Sequence, residues 1–206
     1  MAVLIIDYGM GNLSSVKRAF EECGADAFIS EKPEDLKSAT HVILPGVGAF
    51  RDGIANLTER GWIPEIKEAV LNDGIPFLGI CLGMQLLADS GVEGGDSQGL
   101  GLIPGDVRLL EPDSIEVRVP HVGWNEIHKT RQHALLEGIP DGTDFYFVHS
   151  YHLVPTKSDY IMATTPYCGT FVSAVVLDNV FGVQFHPEKS SRPGFQLISN
   201  FLKIKG

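Results

Sequence analysis

Four short, mainly apolar runs punctuate the first half of the chain, at 3–6, 27–29, 41–44 and 76–80. Such runs suit strands buried on both faces, as in a parallel sheet. The segments between them carry another period. Leu13, Val16, Ala19, Phe20 and Cys23 recur at helical spacing and stop at Gly24. Residues 32–38 read as a short polar helix, 54–57 and 64–71 as helical pieces around the Gly61-Trp62 break, and 84–88 as the start of another helix. The first half is therefore predicted to alternate β-α-β-α-β-α-β-α, the order of a parallel sheet with crossover helices. Loops of interest follow the first, third and fourth strands, at the carboxyl edge where open α/β sheets bind ligands.

The pattern changes near residue 90. Residues 90–99 are glycine-rich and acidic and read as a surface loop. Beyond them, short strands are predicted near 107–109, 116–119, 123–127, 145–148, 161–164, 171–177 and 180–184, with one turn at 134–136 and a closing amphipathic helix at 195–202. No repeat or low-complexity tract divides the chain. One domain over 1–206, a parallel sheet with an added antiparallel part, is the simplest expectation.

Composition narrows the function. The chain has 206 residues, 44% hydrophobic, enough for one sizeable core. A net charge of -10, with no Lys/Arg run, argues against non-specific nucleic-acid binding. No apolar run approaches the length of a membrane span. The start of the chain lacks the basic region of a signal peptide. Three cysteines, at 23, 81 and 168, have no metal-ligand spacing, and the odd count fits a reducing compartment. A cytoplasmic protein is expected.

Three short motifs carry candidate chemistry. Gly79-Ile80-Cys81-Leu82-Gly83 lies where a strand should pass into a helix, and is the cysteine form of a nucleophile elbow. The glycines remove side chains that would collide across the turn. The sulfur would sit at a helix start, where the dipole favours thiolate, and the Leu82 N–H would face a developing oxyanion. Taken alone, Cys81 can also be a buried structural thiol. Gly46-Val47-Gly48 follows the third strand. Its glycines allow close backbone approach to a ligand and lower the barrier to rotating the peptide planes around Val47; a plain tight turn is the competing reading. His186-Pro187-Glu188 ends the apolar run 180–185. It offers a base at a strand end and a carboxylate to orient it, or equally a surface turn. Gly9-x-Gly11 after the first strand falls short of a dinucleotide fingerprint, because Ser14 stands where the third glycine belongs.

Gly79-Ile80-Cys81-Leu82-Gly83-Met84-Gln85 together with Gln184-Phe185-His186-Pro187-Glu188 resembles the class I glutamine amidotransferases. Four further stretches, 7–13, 44–50, 120–125 and 147–151, are similar to one branch, the glutaminase subunits of imidazole glycerol phosphate synthase. The similarity covers essentially the whole chain. One departure is Val122, where that branch more often has Met, which puts only local packing in doubt.

The resemblance implies a flavodoxin-like open sheet with helices on both faces. It implies that Cys81 attacks the side-chain amide of L-glutamine, that His186 moves the proton, and that Glu188 orients His186. Oxyanion donors map to Leu82 and the Val47-Gly48 turn. Substrate contacts map to Gln85, Ser150 and Tyr151, with Glu93 as a further one. The implied partner is a (β/α)₈ cyclase subunit that receives ammonia in histidine biosynthesis, and Asn12, Trp124, Tyr146 and Lys189 match positions that face it. No metal or organic cofactor is implied. The alternatives are the glutaminase of another amidotransferase, from which Pro45-Gly46-Val47-Gly48 differs, and a flavodoxin-like cysteine hydrolase, which would not place His186-Pro187-Glu188 on the last strand.

Overall fold

A computed structural model describes residues 1–115 and 117–206. In chain order the first half holds β1 (Ala2–Ile6), α1 (Leu13–Glu22), β2 (Asp26–Ser30), β3 (His41–Gly46), α2 (Phe50–Glu59), α3 (Trp62–Lys67), β4 (Phe77–Cys81) and α4 (Leu82–Leu86). A short π-helical stretch, Glu68–Asn72, prolongs α3. The second half holds β5 (Ser90–Gly91), β6 (Ser97–Gln98), β7 (Gly105–Leu109), β8 (His121–Lys129), β9 (Thr143–His149), β10 (Tyr151–Pro155), β11 (Ile161–Thr165), β12 (Phe171–Leu177), β13 (Val180–Val183) and α5 (Ser191–Phe201).

The main sheet has nine strands in the order β2-β1-β3-β4-β13-β12-β11-β8-β9. The pairings from β2 to β13 are parallel and those from β13 to β9 antiparallel. The parallel half has the strand order of a flavodoxin-like sheet. Its strands are apolar on both faces because both are covered. α1 and α5 bury Val16, Phe20, Leu197 and Phe201 against Val3, Ile5 and Ile43. α2, α3 and α4 bury Phe50, Leu57, Trp62 and Leu86 against Leu4, Ile6 and Val42 on the other face. A second sheet, β10-β7-β5-β6, lies beyond α4. Among the described residues no helix is long and apolar enough to cross a membrane.

The predicted alternation of the first half holds with shifted ends, except that the helix expected at 32–38 is a 3-10 helix, Pro33–Ser38, between β2 and β3. α2 starts four residues earlier than expected, at Phe50, and α4 starts directly after Cys81 because the elbow has no separate loop. Two expectations for the second half need correction, and one strand was missed. Residues 117–119 form no strand, and Glu116 lies outside the described residues; the Arg118 carbonyl is taken by the Tyr167 hydroxyl instead of a ladder. Residues 90–99 are more than a surface loop: β5 joins the second sheet, and Gly91 packs so tightly on Phe50 that a Cβ there would stand 2.8 Å from its ring. Strand β10 was not anticipated.

Candidate active site

Cys81 is the last residue of β4 and the residue before α4. Its φ of 55° and ψ of -110° are strained for a side-chain-bearing residue. The strain is held by close packing. A Cβ on Gly79 would stand 2.5 Å from the Gly83 carbonyl oxygen, and one on Gly83 would run into the Leu44 carbonyl of β3. Both glycines are therefore required by approach of backbone to backbone.

The neighbours of Cys81 follow from sheet register. Gly46, the end of β3, is its direct partner, so the Val47-Gly48 turn overhangs the sulfur. Gly48 has φ +119°, and a Cβ there would press on Met10 Cε at 2.5 Å. On the other side β13 pairs Val183 with Ile80. His186, three residues past the end of that strand, is thereby delivered to the elbow. The turn carrying it is tied down: His186 N donates to the Tyr146 carbonyl at 2.9 Å, and the fully buried Ser190 hydroxyl donates to the His186 carbonyl at 2.6 Å.

His186 Nδ1 lies 2.7 Å from Glu188 Oε1, and both side chains are only 3% exposed. Nε2 makes no hydrogen bond of ordinary geometry among the described residues. Burial alone would lower the pKa of His186. The sulfur of Cys81 and the carboxylate of Glu188 favour the imidazolium, outweigh burial and push the value up to about 10. Nδ1–H to carboxylate, with Nε2 towards the thiol, is the arrangement of a base that can accept a proton and return it.

A cavity of about 190 Å³ opens over the sulfur. It is lined by Val47, Gly48, Cys81, Leu82, Gln85 and Glu93, and by the stretch from Val148 to Tyr151. Every residue expected to be an oxyanion donor or substrate contact is in that wall. The volume lies below the ~300–1,000 Å³ of sites for drug-sized ligands and suits a small metabolite. Gln85 is buried rather than an exposed helical residue, and its Nε2 donates to the Tyr151 carbonyl at 2.8 Å. Glu93 is partly committed elsewhere: its Oε2 accepts from Phe50 N at 3.1 Å, at the N-terminus of α2. Burial raises its pKa, the Phe50 N–H offsets part of this, and Asp52 adds to the rise.

Trp124 on β8, Tyr146 on β9 and Lys189 form one cluster beside the His186 turn. Trp124 and Tyr146 meet edge to face at 6.1 Å, and Lys189 Nζ lies 5.8 Å over the Tyr146 ring. Trp124 and Val122 are more than half exposed. Asn12 lies apart from this cluster in sequence and caps α1 through Ser15 N at 3.4 Å.

Three residues of the site were not anticipated as such: one is Val148, which lines the cavity and whose carbonyl lies 3.7 Å from Cys81 Sγ. Gln184, fully buried, donates from Nε2 to Cys81 Sγ at 3.7 Å, and His149 lines the cavity. An amide inside the apolar run 180–185 was the available signal for Gln184, since a buried amide needs partners.

Residues 4–204 match the sequence profile of the family glutamine amidotransferase class-I. The chain is 49% identical, over 98% of its length and 94% of the relative's, to imidazole glycerol phosphate synthase subunit HisH of Moorella thermoacetica. It is 46% identical to subunit HisH 1 of Campylobacter jejuni strain RM1221, covering 98% of this chain and 100% of that one. Among solved structures, a chain of PurLQS from Thermotoga maritima superposes with a TM-score of 0.76 over 98% of this chain and 97% of that one, at 18% identity.

Proposed function

Since the chain belongs to the class I glutamine amidotransferases, we propose that it is the glutamine-hydrolysing subunit of an imidazole glycerol phosphate synthase, with Cys81, His186 and Glu188 as its catalytic residues. The observation that carries the site assignment is convergence on one sulfur: a strained cysteine and two backbone turns line one small cavity, and a buried His–Glu pair at 2.7 Å stands behind that cysteine without lining the cavity itself.

The chemistry follows from that geometry. Glutamine enters with its carboxamide over Cys81. Gln85, whose two amide protons go to the Tyr151 carbonyl and to Gln184 Oε1, turns its oxygen to the amino-acid end. The thiol proton passes to His186 Nε2 as the sulfur adds to the carboxamide carbon. The oxyanion that forms is met by the Leu82 N–H, which has no acceptor within its own helix, and by the Val47-Gly48 turn. The tetrahedral adduct collapses as His186 gives its proton to the departing nitrogen, releasing ammonia and leaving a thioester. Water then adds to the thioester carbonyl, its proton passing to His186. Collapse of that adduct expels the sulfur, which regains the proton, and frees glutamate. Glu188 keeps Nδ1 protonated throughout and stabilises the cation. No step calls for a metal or an organic cofactor.

Ammonia passes to a (β/α)₈ cyclase subunit in a cytoplasmic heterodimer. The exposed Val122 and the Trp124–Tyr146–Lys189 cluster support a docking face beside the site, since exposed aromatics and long cations suit interface anchors. Asn12, at the sheet's carboxyl edge, supports the same face less directly. The decisive experiment labels the chain with a chloroketone analogue of glutamine and measures glutamine hydrolysis with and without the cyclase and its ligand. Selective loss of Cys81, abolished in Cys81→Ser, and hydrolysis that rises with the partner are expected. Undiminished labelling of Cys81→Ser overturns the nucleophile. Because the flanking glycines ease rotation of the peptide planes around Val47, we infer that the partner sets whether an N–H or a carbonyl faces the oxyanion; full hydrolysis by the chain alone, unchanged by the partner, overturns that switch.

A further inference from the structure

His121 and His149 are opposite residues of β8 and β9, and both are buried. His121 lies between the rings of Tyr167 and Phe147, with centroids 3.9 and 4.9 Å away. Phe171 meets both imidazoles edge-on, at 5.6 and 4.8 Å. Such surroundings disfavour an imidazolium. Burial pulls His121 down to about 4 and His149 to about 3. Both rings are neutral near pH 7, so each has one donor and one acceptor nitrogen.

That fixes the protons by elimination. A carbonyl can only accept, so His149 Nδ1, 2.9 Å from the Tyr151 oxygen, carries its proton. Its Nε2 is then an acceptor, and His121 Nδ1, 3.2 Å away, donates to it. His121 Nε2 accepts from Asn125 Nδ2 at 3.3 Å, and the second proton of that amide goes to the Pro166 carbonyl at 3.2 Å. The chain of bonds runs one way, from β8 to the Tyr151 carbonyl. There it meets a second chain. Gln85 Nε2 donates to the same carbonyl at 2.8 Å and to Gln184 Oε1 at 3.2 Å, and Gln184 Nε2 donates to Cys81 Sγ at 3.7 Å.

We propose that His121 and His149 are positioning residues for the nucleophile: their one-way chain fixes the Tyr151 carbonyl, and through Gln85 and Gln184 that carbonyl fixes the sulfur of Cys81. Two donors on one carbonyl hold its peptide against rotation. With both amide protons of Gln85 engaged, a slip of that peptide would also turn the Gln85 oxygen away from the cavity. The inference rests on the reading of Cys81 as the nucleophile of glutamine hydrolysis.

Two measurements on the complex with the cyclase subunit test it. In nitrogen-resolved NMR of histidine-labelled protein, His121 and His149 are expected as Nδ1–H tautomers. Nε2–H at His149 overturns the chain whatever the activity. The second measurement compares His149→Asn with His149→Phe. Both remove the acceptor that serves His121 and share that loss of stability. Asn alone places an amide nitrogen where Nδ1 stands and keeps a donor for the Tyr151 carbonyl. The Phe variant is expected to lose about tenfold in kcat, the net worth of one hydrogen bond. It should lose a similar factor in the iodoacetamide alkylation rate of Cys81, which reads the sulfur with no glutamine bound. The Asn variant should stay within about twofold of wild type in both. Equal losses in the two variants, or a lowered Tm with kcat and alkylation unchanged, overturn the proposal. A wild-type complex that fails to hydrolyse glutamine overturns instead the reading on which it rests, and the tautomer result stands apart from that outcome.

Discussion

Substituting Gly79 by alanine isolates the packing that builds the elbow. Gly79 does not have a positive φ, so alanine meets no backbone penalty of its own. The added Cβ would stand 2.5 Å from the Gly83 oxygen, 2.7 Å from the Gly83 carbonyl carbon and 2.8 Å from Met84 N. All three are backbone atoms, so no side chain can swing away. Ordinary contact begins at 3.4 Å, so α4 has to withdraw by about 0.9 Å. β4 cannot yield instead, because β3 and β13 hold it on both sides. Overpacking of this kind costs ~1–3 kcal/mol, about 2–12 °C in Tm for a domain of this size. A shift near 1 Å at the proposed nucleophile costs about 10²-fold in rate. The control is Gly53→Ala in α2. Its Cβ meets only the ends of Leu86 and Leu82, from 3.1 Å outward, and the change adds about 1 kcal/mol of helix propensity. Thermal melts and glutamine hydrolysis with the cyclase present should separate the two variants by at least tenfold in rate. A Gly79→Ala protein that melts with wild type at full activity would refute the close approach of strand and helix.

Three further outcomes follow from the same structure. Glu188→Gln removes a carboxylate that favours the imidazolium, so the pKa of His186 should fall from about 10. Hydrolysis should fall less than in His186→Ala, where ~10²–10⁴-fold is the scale of acid–base catalysis; an NMR titration with His186 unmoved, or the reverse order of rates, contradicts the pairing. His121, His149 and His152 are held neutral by burial, with values near 4, 3 and 4, so the unfolded chain binds protons that the folded one refuses. Stability should be intact above pH ~6.5 and decline as pH falls towards 4, by up to ~1.4 kcal/mol per pH unit for each histidine; a flat urea midpoint from pH 7 to 4 would count against it. The Tyr8 hydroxyl is fully buried with no partner among the described residues, and burial, then the charge of Cys81, pushes its pKa up. Tyr8→Phe should therefore be neutral or stabilising by ~1 kcal/mol in urea melts, and a clear loss would mean that the hydroxyl has a partner in solution.

Which parts of this site were legible in the sequence depended on how far apart the cooperating residues lie along the chain. The elbow reads from five consecutive residues because Gly79 serves a contact made within the same turn, although the reason for Gly83, the Leu44 carbonyl of β3, lies outside it. His186-Pro187-Glu188 reads for the same reason: the proposed base and its proposed orienter are two residues apart, and the structure closes them to 2.7 Å. The parallel half of the sheet was legible because strands buried on both faces leave unbroken apolar runs. β10 was not, because β9 ends at His149 and β10 begins at Tyr151 with only Ser150 between them. The chain changes sheets there without the glycine or proline that marks a turn. The second role of Glu93, at the start of α2, could not be read either, since its partner Phe50 lies 43 residues away.

The histidine pair is the limiting case of this rule. His121 and His149 are 28 residues apart, and each alone looks like an ordinary strand residue. What makes them a unit is the register of β8 on β9, and a slip of one residue would turn the two side chains to opposite faces. Register is fixed by the buried alternation along both strands, including Ile127, Phe145 and Phe147. The polar chain that ends on the Cys81 sulfur is therefore a consequence of apolar packing some distance from it. A core substitution such as Phe145→Ala should disturb nucleophile reactivity as well as stability, although Phe145 is not among the residues that line the cavity.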